Sequence, residues 1–330
     1  MHEKDNQNIG EPTIVKNTVI IFLSLTIATL LFGGNDKISG DTHFRYSFED
    51  ADNNAFQLSR AYFTYSKKVN DQVSYKFQTD IGSGGPTDLT VYLKNANLSY
   101  ESTYGKFVFG LQGMNMFKIQ ESNWGYRFVE KSILDKNKYS SSADLGISWE
   151  KSLGAITPNL MITNGSGYKQ AENDRFKKVS LRLLHGQTKL KRGFNAGVVL
   201  SLEGKDYDDG TGAIENGNTT VMGGFAAIVA GPIKAGGEFA VKSADLASKT
   251  SENVFSIYCD YGVNKMISVF GRFDLVNPDV DTDNDEHSYM ILGADYHPGK
   301  VFHMAPNVEI KYPESDDAET IYKICFRFKI

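Results

Sequence analysis

The chain has 330 residues with 35 basic and 40 acidic side chains, 31 glycines, 17 tyrosines, 21 phenylalanines and 2 cysteines. Two cysteines exclude a disulfide framework or a four-cysteine zinc site, and a net charge of −5 without a basic, aromatic-laced patch excludes nucleic acid as a partner. No apolar run reaches the roughly 18 residues of a membrane helix, which leaves a large β protein, soluble or membrane-embedded.

The first element is the apolar stretch 19–32, preceded by Lys16 and followed by Gly33, Gly34 and Asn35. A cationic flank, a short apolar core and small residues after it describe a secretory signal, with a buried core helix as the other reading. Residues 1–34 are therefore expected to be a signal peptide, with an atypical extension carrying Glu3, Asp5 and Glu11. Residues 35–330 are expected to form one domain.

From residue 41 the chain settles into segments of period two. Phe44, Tyr46 and Phe48 alternate with His43, Arg45 and Ser47, and Ala61, Phe63 and Tyr65 with Arg60, Tyr62 and Thr64. Tyr322, Ile324, Phe326, Phe328 and Ile330 alternate with Lys323, Cys325, Arg327 and Lys329 at the other end. One face of each strand therefore meets an apolar medium and the other a polar one. Sixteen such segments can be drawn, near 41–49, 55–67, 72–81, 89–101, 104–112, 138–150, 153–163, 175–185, 192–202, 217–229, 232–243, 252–262, 265–275, 286–296, 299–310 and 320–330. Glycine-rich 217–229 and Pro158 keep fourteen or eighteen open as alternatives.

The connections separate a barrel from a sandwich. Short turns at 68–71, 102–103, 151–152, 231, 262–264 and 297–298 alternate with longer polar stretches at 82–88, 113–137, 164–174, 203–216, 244–251, 276–285 and 311–319. Short turns at one end and long loops at the other describe an all-β, antiparallel, up-and-down transmembrane barrel of the outer membrane of a Gram-negative envelope. Tyr65, Tyr100, Trp149, Tyr261 and Tyr296 share the apolar parity where their strands enter short turns, as an interfacial aromatic girdle requires. Cys259 lies on the outward parity and Cys325 on the inward one, so no disulfide can join them.

The third external loop, 113–137, is too long for a plain hairpin and too apolar to be solvated, with Met116, Phe117, Ile119, Trp124, Phe128 and Leu134. It is expected to fold into the lumen as a constriction, bringing Lys118, Glu121, Arg127, Glu130 and Lys131 to the passing solute; a cap packed on neighbouring loops is the alternative. Parity places Arg45, Arg60, Lys76, Lys106, Arg182, Lys242, Arg272, Lys323 and Arg327 on the lumen wall, against Asp80, Asp144, Glu238, Asp260 and Asp274. The excess of bases suggests a lumen favouring anions, unless the wall charges simply pair across strands. Acids crowd the outer loops at Asp206, Asp208, Asp209 and Glu215, and at Asp279, Asp281, Asp283, Asp285 and Glu286. Their spacing lacks the glycine and terminal glutamate of a calcium loop. They read as solvated surface, bridged by divalent ions to lipopolysaccharide and outer-membrane lipid. The histidines show no metal-ligand spacing, no cofactor motif occurs, and no nucleophile elbow, zincin helix or P-loop points to an enzyme.

The run Tyr104-Gly105-Lys106-Phe107-Val108-Phe109-Gly110-Leu111-Gln112-Gly113, followed by Phe117, Gln120-Glu121 and Tyr126-Arg127-Phe128-Val129-Glu130-Lys131, resembles the phosphate-selective porin O and P family. Leu98-Ser99-Tyr100 and Arg60-Ala61-Tyr62 resemble it as well, and the likeness is best over 55–165. The resemblance implies a sixteen-stranded, homotrimeric channel with a loop in each pore and basic side chains selecting the solute. Here Glu130-Lys131 stands where the family has a Glu-Arg-like pair, and Ile330 replaces the common terminal Phe. The expected function is passive diffusion of small hydrophilic solutes, chiefly anions such as phosphate. A non-conducting structural or adhesive barrel with partner-binding loops is the alternative.

Overall fold

Alternating strands with one apolar face are stable in lipid only when every backbone donor and acceptor is paired, which closure of the sheet achieves. The computed structural model describes residues 36–83, 89–172, 174–208, 210–313 and 317–330; the expected signal segment lies outside them. The first half of the wall comprises β1 (Asp36–Phe48), β2 (Asn54–Lys68), β3 (Val73–Ser83), β4 (Leu89–Ser102), β5 (Gly105–Gly113), β6 (Ala143–Glu150), β7 (Ile156–Thr163) and β8 (Lys178–His185). The second half comprises β9 (Gly193–Asp208), β10 (Ile214–Ala230), β11 (Ile233–Asp245), β12 (Lys249–Gly262), β13 (Ile267–Asn277), β14 (His287–Tyr296), β15 (Phe302–Pro313) and β16 (Glu319–Lys329). Each pairs antiparallel with its neighbours in sequence, and β16 pairs with β1 to close the ring of sixteen. The closing register runs from Asp41 opposite Lys329 to Phe48 opposite Tyr322. Backbone bonds between Gly40 and Ile330, at 2.9 and 3.0 Å, finish the seam.

The outer face is apolar. Leu98, Phe109, Ile147, Val198, Met222, Phe239, Ile257, Leu292 and Ile324 are each 39–62 % exposed, a surface that only hydrocarbon can cover. Tyr100, Tyr261 and Tyr296 face outward at the short-turn rim, and the Trp149 indole donates to the Tyr104 carbonyl there at 2.9 Å. A closed barrel of this size with such a band places the chain in an outer membrane.

Several boundaries differ from the pattern read in the sequence. β9 and β10 run on to Asp208 and from Ile214, pairing Asp206 with Asn216 and Lys205 with Gly217. The stretch 203–216 is thus mostly ladder, because backbone pairing continues beyond the lipid whatever the side chains are. In the same way only 246–248 separate β11 from β12. Residues 138–142 belong to the third loop rather than to β6, since Tyr139 is drawn into that loop's buried core. Two bulges interrupt the alternation: Ser59 is skipped between β1 and β2, and Lys94 between β3 and β4.

The barrel interior is divided unequally. The third loop packs its apolar side chains on the inner faces of β8 to β16, while the inner faces of β2 to β7 stay polar. Cys325 is buried on the inward face and Cys259 is exposed on the outward face, as their parity required.

Candidate functional site: a basic channel beside the folded-in loop

The third loop contains two short helices, α1 (Lys118–Trp124) and α2 (Ile133–Lys136). A seven-residue helix is not stable alone, so its packing must hold it. Ile119, Gln120, Asn123 and Trp124 are the buried face of α1, leaving Lys118, Glu121 and Ser122 toward the open lumen. Met116, Phe117, Ile119, Ile133, Leu134 and Tyr139 form one buried cluster with Leu184, Val199, Val221, Phe225, Ala240, Val254 and Val276 of the wall. Trp124, Tyr126, Phe128 and Val129 form a second with Tyr258, Phe270, Ile291, Ala305 and Cys325.

Gly125 ends α1 at φ 82°, its N–H donating to the Glu121 carbonyl at 3.0 Å. A side chain there would meet only the far end of the flexible Lys234 side chain, which can move aside, so it is the left-handed backbone that demands glycine.

Polar anchors fix what the apolar clusters position. The Asn123 and Asn195 amides donate to each other at 2.9 and 3.1 Å. Tyr126 donates to Asp260. Arg272 of β13 donates to the Lys131 carbonyl at 2.5 Å and grips Asp274 with two bonds of 2.7 Å. Lys136 lies between Glu309 at 3.1 Å and Glu130 at 3.6 Å, and Lys323 pairs with Glu309 from the other side. Burial alone would raise the Glu130 carboxyl, but Lys136 and Lys323 hold it below its ordinary range.

Opposite the loop the lumen remains open as two chambers. The one toward the long loops is lined among the described residues by Arg60, Lys94, Arg127, Lys131, Lys138 and Lys169, with Asp80 and Asp135 as its acids. The one toward the short turns is lined by Lys76, Lys106, Lys118 and Arg182, with Glu150 as its acid. Between wall and loop, Arg60 lies 3.9 Å from Glu121, and Arg127 lies 3.3 Å from Glu121 and 3.4 Å from Asp135. The Arg60 guanidinium also stacks on Tyr62, 4.3 Å from the ring centre. Lys76 and Lys118 line the chamber toward the short turns and have no ion pair among the described residues.

The candidate residues therefore divide. Lys118, Glu121, Arg127 and Lys131 come to the channel together with Arg60 and Lys76, whereas Arg182, 4 % exposed, borders it paired with Glu150 at 2.6 Å. Glu130 turns away from the channel and pairs with Lys136 of the same loop. Arg272 is 3 % exposed beneath the loop, so it fastens the loop and does not face a solute. Arg45 bonds Gln57 at 2.9 Å, and Arg327 is held by Asp41 through two bonds at 2.9 and 2.7 Å near the short-turn rim. The wall charges thus do pair in part, but the pairing leaves bases in excess along the open side.

The sequence pattern missed Lys94, Lys138 and Lys169. Counting back from Ser99 and Asn97 puts Lys94 on the lipid face, and only the bulge turns it inward, where it donates to Ser142. Its ammonium lies 3.6 Å from the Tyr168 ring centre, and Lys169 lies 4.5 Å from that of Tyr92. Burial and the nearby Asp80 push the Tyr168 phenol up to about 12, so it stays neutral between the two lysines. No local signal marks 166–170 as entering the lumen.

No family model and no curated protein matches the chain. Solved structures match at the level of fold. OmpT of Vibrio cholerae, an outer membrane protein in its trimer form, is 13 % identical with a TM-score of 0.68, covering 89 % of this chain and 99 % of that one. An anion-selective porin from Comamonas acidovorans is 12 % identical with a TM-score of 0.66, covering 89 % and 99 %. The outer membrane channel DcaP of Acinetobacter baumannii is 12 % identical with a TM-score of 0.60, covering 89 % and 97 %.

Proposed function

We propose that this chain is a passive outer-membrane diffusion channel for small hydrophilic solutes that favours anions, phosphate among them, and that it works as a homotrimer without enzymatic activity. One observation carries the reading: the two chambers beside the loop are lined by ten bases and three acids among the described residues. In a narrow passage with a low-dielectric wall, such an imbalance concentrates counter-anions and repels cations. The similarity in fold to an anion-selective porin and to a protein recorded as a trimer supports the same reading. Phosphate rests on the resemblance at 104–131 and on the free ammonium groups of Lys76 and Lys118, which suit a compact, multiply charged oxyanion.

The test is a planar bilayer holding the refolded protein under a potassium chloride gradient. The expected reversal potential has the sign of chloride preference, and millimolar phosphate lowers the chloride current by occupying the basic passage. A cation-selective potential overturns the anion preference. A bilayer without conductance overturns the channel and favours the structural or adhesive barrel, with the loop as a plug.

A further inference from the structure

The hairpin joining β14 to β15 carries three metal-ligating side chains on its lumen face. Asp295 lies near the end of β14 with its side chain inward, His297 follows two positions on, and His303 stands opposite on β15. The Nδ1 atoms of His303 and His297 lie 2.9 and 3.2 Å from the same carboxylate oxygen, Oδ2 of Asp295. Donor atoms from all three side chains fall within 4.8 Å of one another. The imidazole rings run nearly parallel, 26° apart with centres 5.6 Å from each other.

A buried carboxylate that needed only one partner would be satisfied by His303. The second ring adds no hydrogen bond: the Nδ1 of His297 is shielded from water, yet it meets no partner in hydrogen-bonding geometry. Two imidazole nitrogens and a carboxylate oxygen thus converge on one point without completing a hydrogen-bonded network. Ligands about 2.0–2.2 Å from a common ion stand roughly 3.3–3.6 Å apart in a tetrahedron, so the carboxylate oxygen, now 2.9 and 3.2 Å from the two nitrogens, has only a few tenths of an ångström to give. Imidazole with a single carboxylate suits zinc, copper or nickel, whereas calcium and magnesium call for more oxygen donors. Both histidines are about a quarter exposed, at 24 and 23 %, so an ion can enter and water can fill the remaining positions. The neighbouring cation, Arg327 opposite His303, is neutralised by Asp41. Phe128 of the folded-in loop covers the other side, its ring centre 5.5 Å from that of His303.

We propose that Asp295, His297 and His303 bind one divalent transition-metal ion of the zinc and copper class at the short-turn mouth of the barrel. Copper(II) is a suitable probe. Titrated into the refolded full chain, it is expected to bind one ion per chain, with an electron paramagnetic resonance spectrum showing two imidazole nitrogens. His297→Ala and His303→Ala are each expected to lose the two-nitrogen signal, whereas His185→Ala keeps it. Folding of each variant is read from its heat-modifiable mobility on a gel. A second measurement needs no variant: zinc should protect His297 and His303, but not His185, from acylation by diethyl pyrocarbonate. A spectrum without nitrogen ligands, binding that survives loss of both histidines, or equal acylation with and without zinc overturns the proposal. None of these readouts depends on conductance.

Discussion

The guanidinium of Arg272 reaches from the barrel wall to the backbone carbonyl of Lys131, 2.5 Å away and 141 positions distant in the chain. The same side chain holds Asp274, and both are nearly inaccessible to water. Arg272 therefore ties the loop to the wall at the point where α2 begins. Replacing it with methionine leaves Asp274 buried without a partner and frees the Lys131 carbonyl, a loss of about 3–5 kcal/mol for a broken buried pair. Arg272→Met is expected to keep the barrel's heat-modifiable mobility while trypsin begins to cut after Arg127 and Lys131. A loop as resistant as that of the parent protein would remove Arg272 from its anchoring role.

Selectivity should follow the unpaired lysines. Lys118→Glu changes the local charge by two units, which at ~8 Å in water is worth about 1 kcal/mol for each monovalent ion and with opposite sign for anions and cations, or roughly thirtyfold in the anion-to-cation permeability ratio. Lys76→Glu should act in the same direction. Glu130→Gln should leave the ratio unchanged, because Glu130 lines neither chamber and pairs with Lys136 within the loop. Reversal potentials of the three variants separate these cases, and an unchanged ratio in Lys118→Glu would place the selective passage elsewhere.

At Gly125 an alanine is expected to be costly because of the left-handed backbone, whereas the Lys234 ammonium beside it can move aside. The conformational part alone is roughly 1–2 kcal/mol. Gly125→Ala should lower the thermal midpoint and raise the open-channel current noise, since the end of α1 loses its fixed position. A noise spectrum identical to the parent's would show that the loop absorbs the change.

Acid should loosen the loop through Glu130. Its carboxyl titrates below the ordinary 4.5 in the folded protein because of Lys136 and Lys323, so the stability it contributes is present above 4.5 and disappears as the pH falls through the depressed value. Channel closures are expected to become frequent only at such low pH. Glu130→Gln should show them already at neutral pH, with little further change on acidification. Closures of the variant that still appear only in acid would assign the titration to another group.

Much of this was legible from alternation, because strand parity is a geometric rule that lipid and water enforce on every residue. The closing strand, the girdle tyrosines and the inward bases Arg60, Lys76 and Arg182 all follow from it. It fails where backbone geometry changes without a sequence mark. Lys94 reads as lipid-facing until the bulge beside it is known. Lys205 and Asp206 read as loop because polarity does not report where a ladder stops. Arg272 and Glu130 have the right parity, but what covers them comes from a loop whose docking site no local pattern encodes. Asp295, His297 and His303 escape any linear motif, since a hairpin rather than a helical spacing brings them together.

The apolar contacts beneath the loop give β9 and β10 a burden that most strands of this barrel do not carry. Val198-Val199-Leu200 and Phe225-Ala226-Ala227-Ile228-Val229 are oily on both sides, one side for lipid and the other for the loop. Before insertion neither cover exists. Such two-sided stretches are the ones that pair with other copies and aggregate. During transit to the membrane, 196–229 is accordingly the region where an escorting chaperone has the most surface to shield.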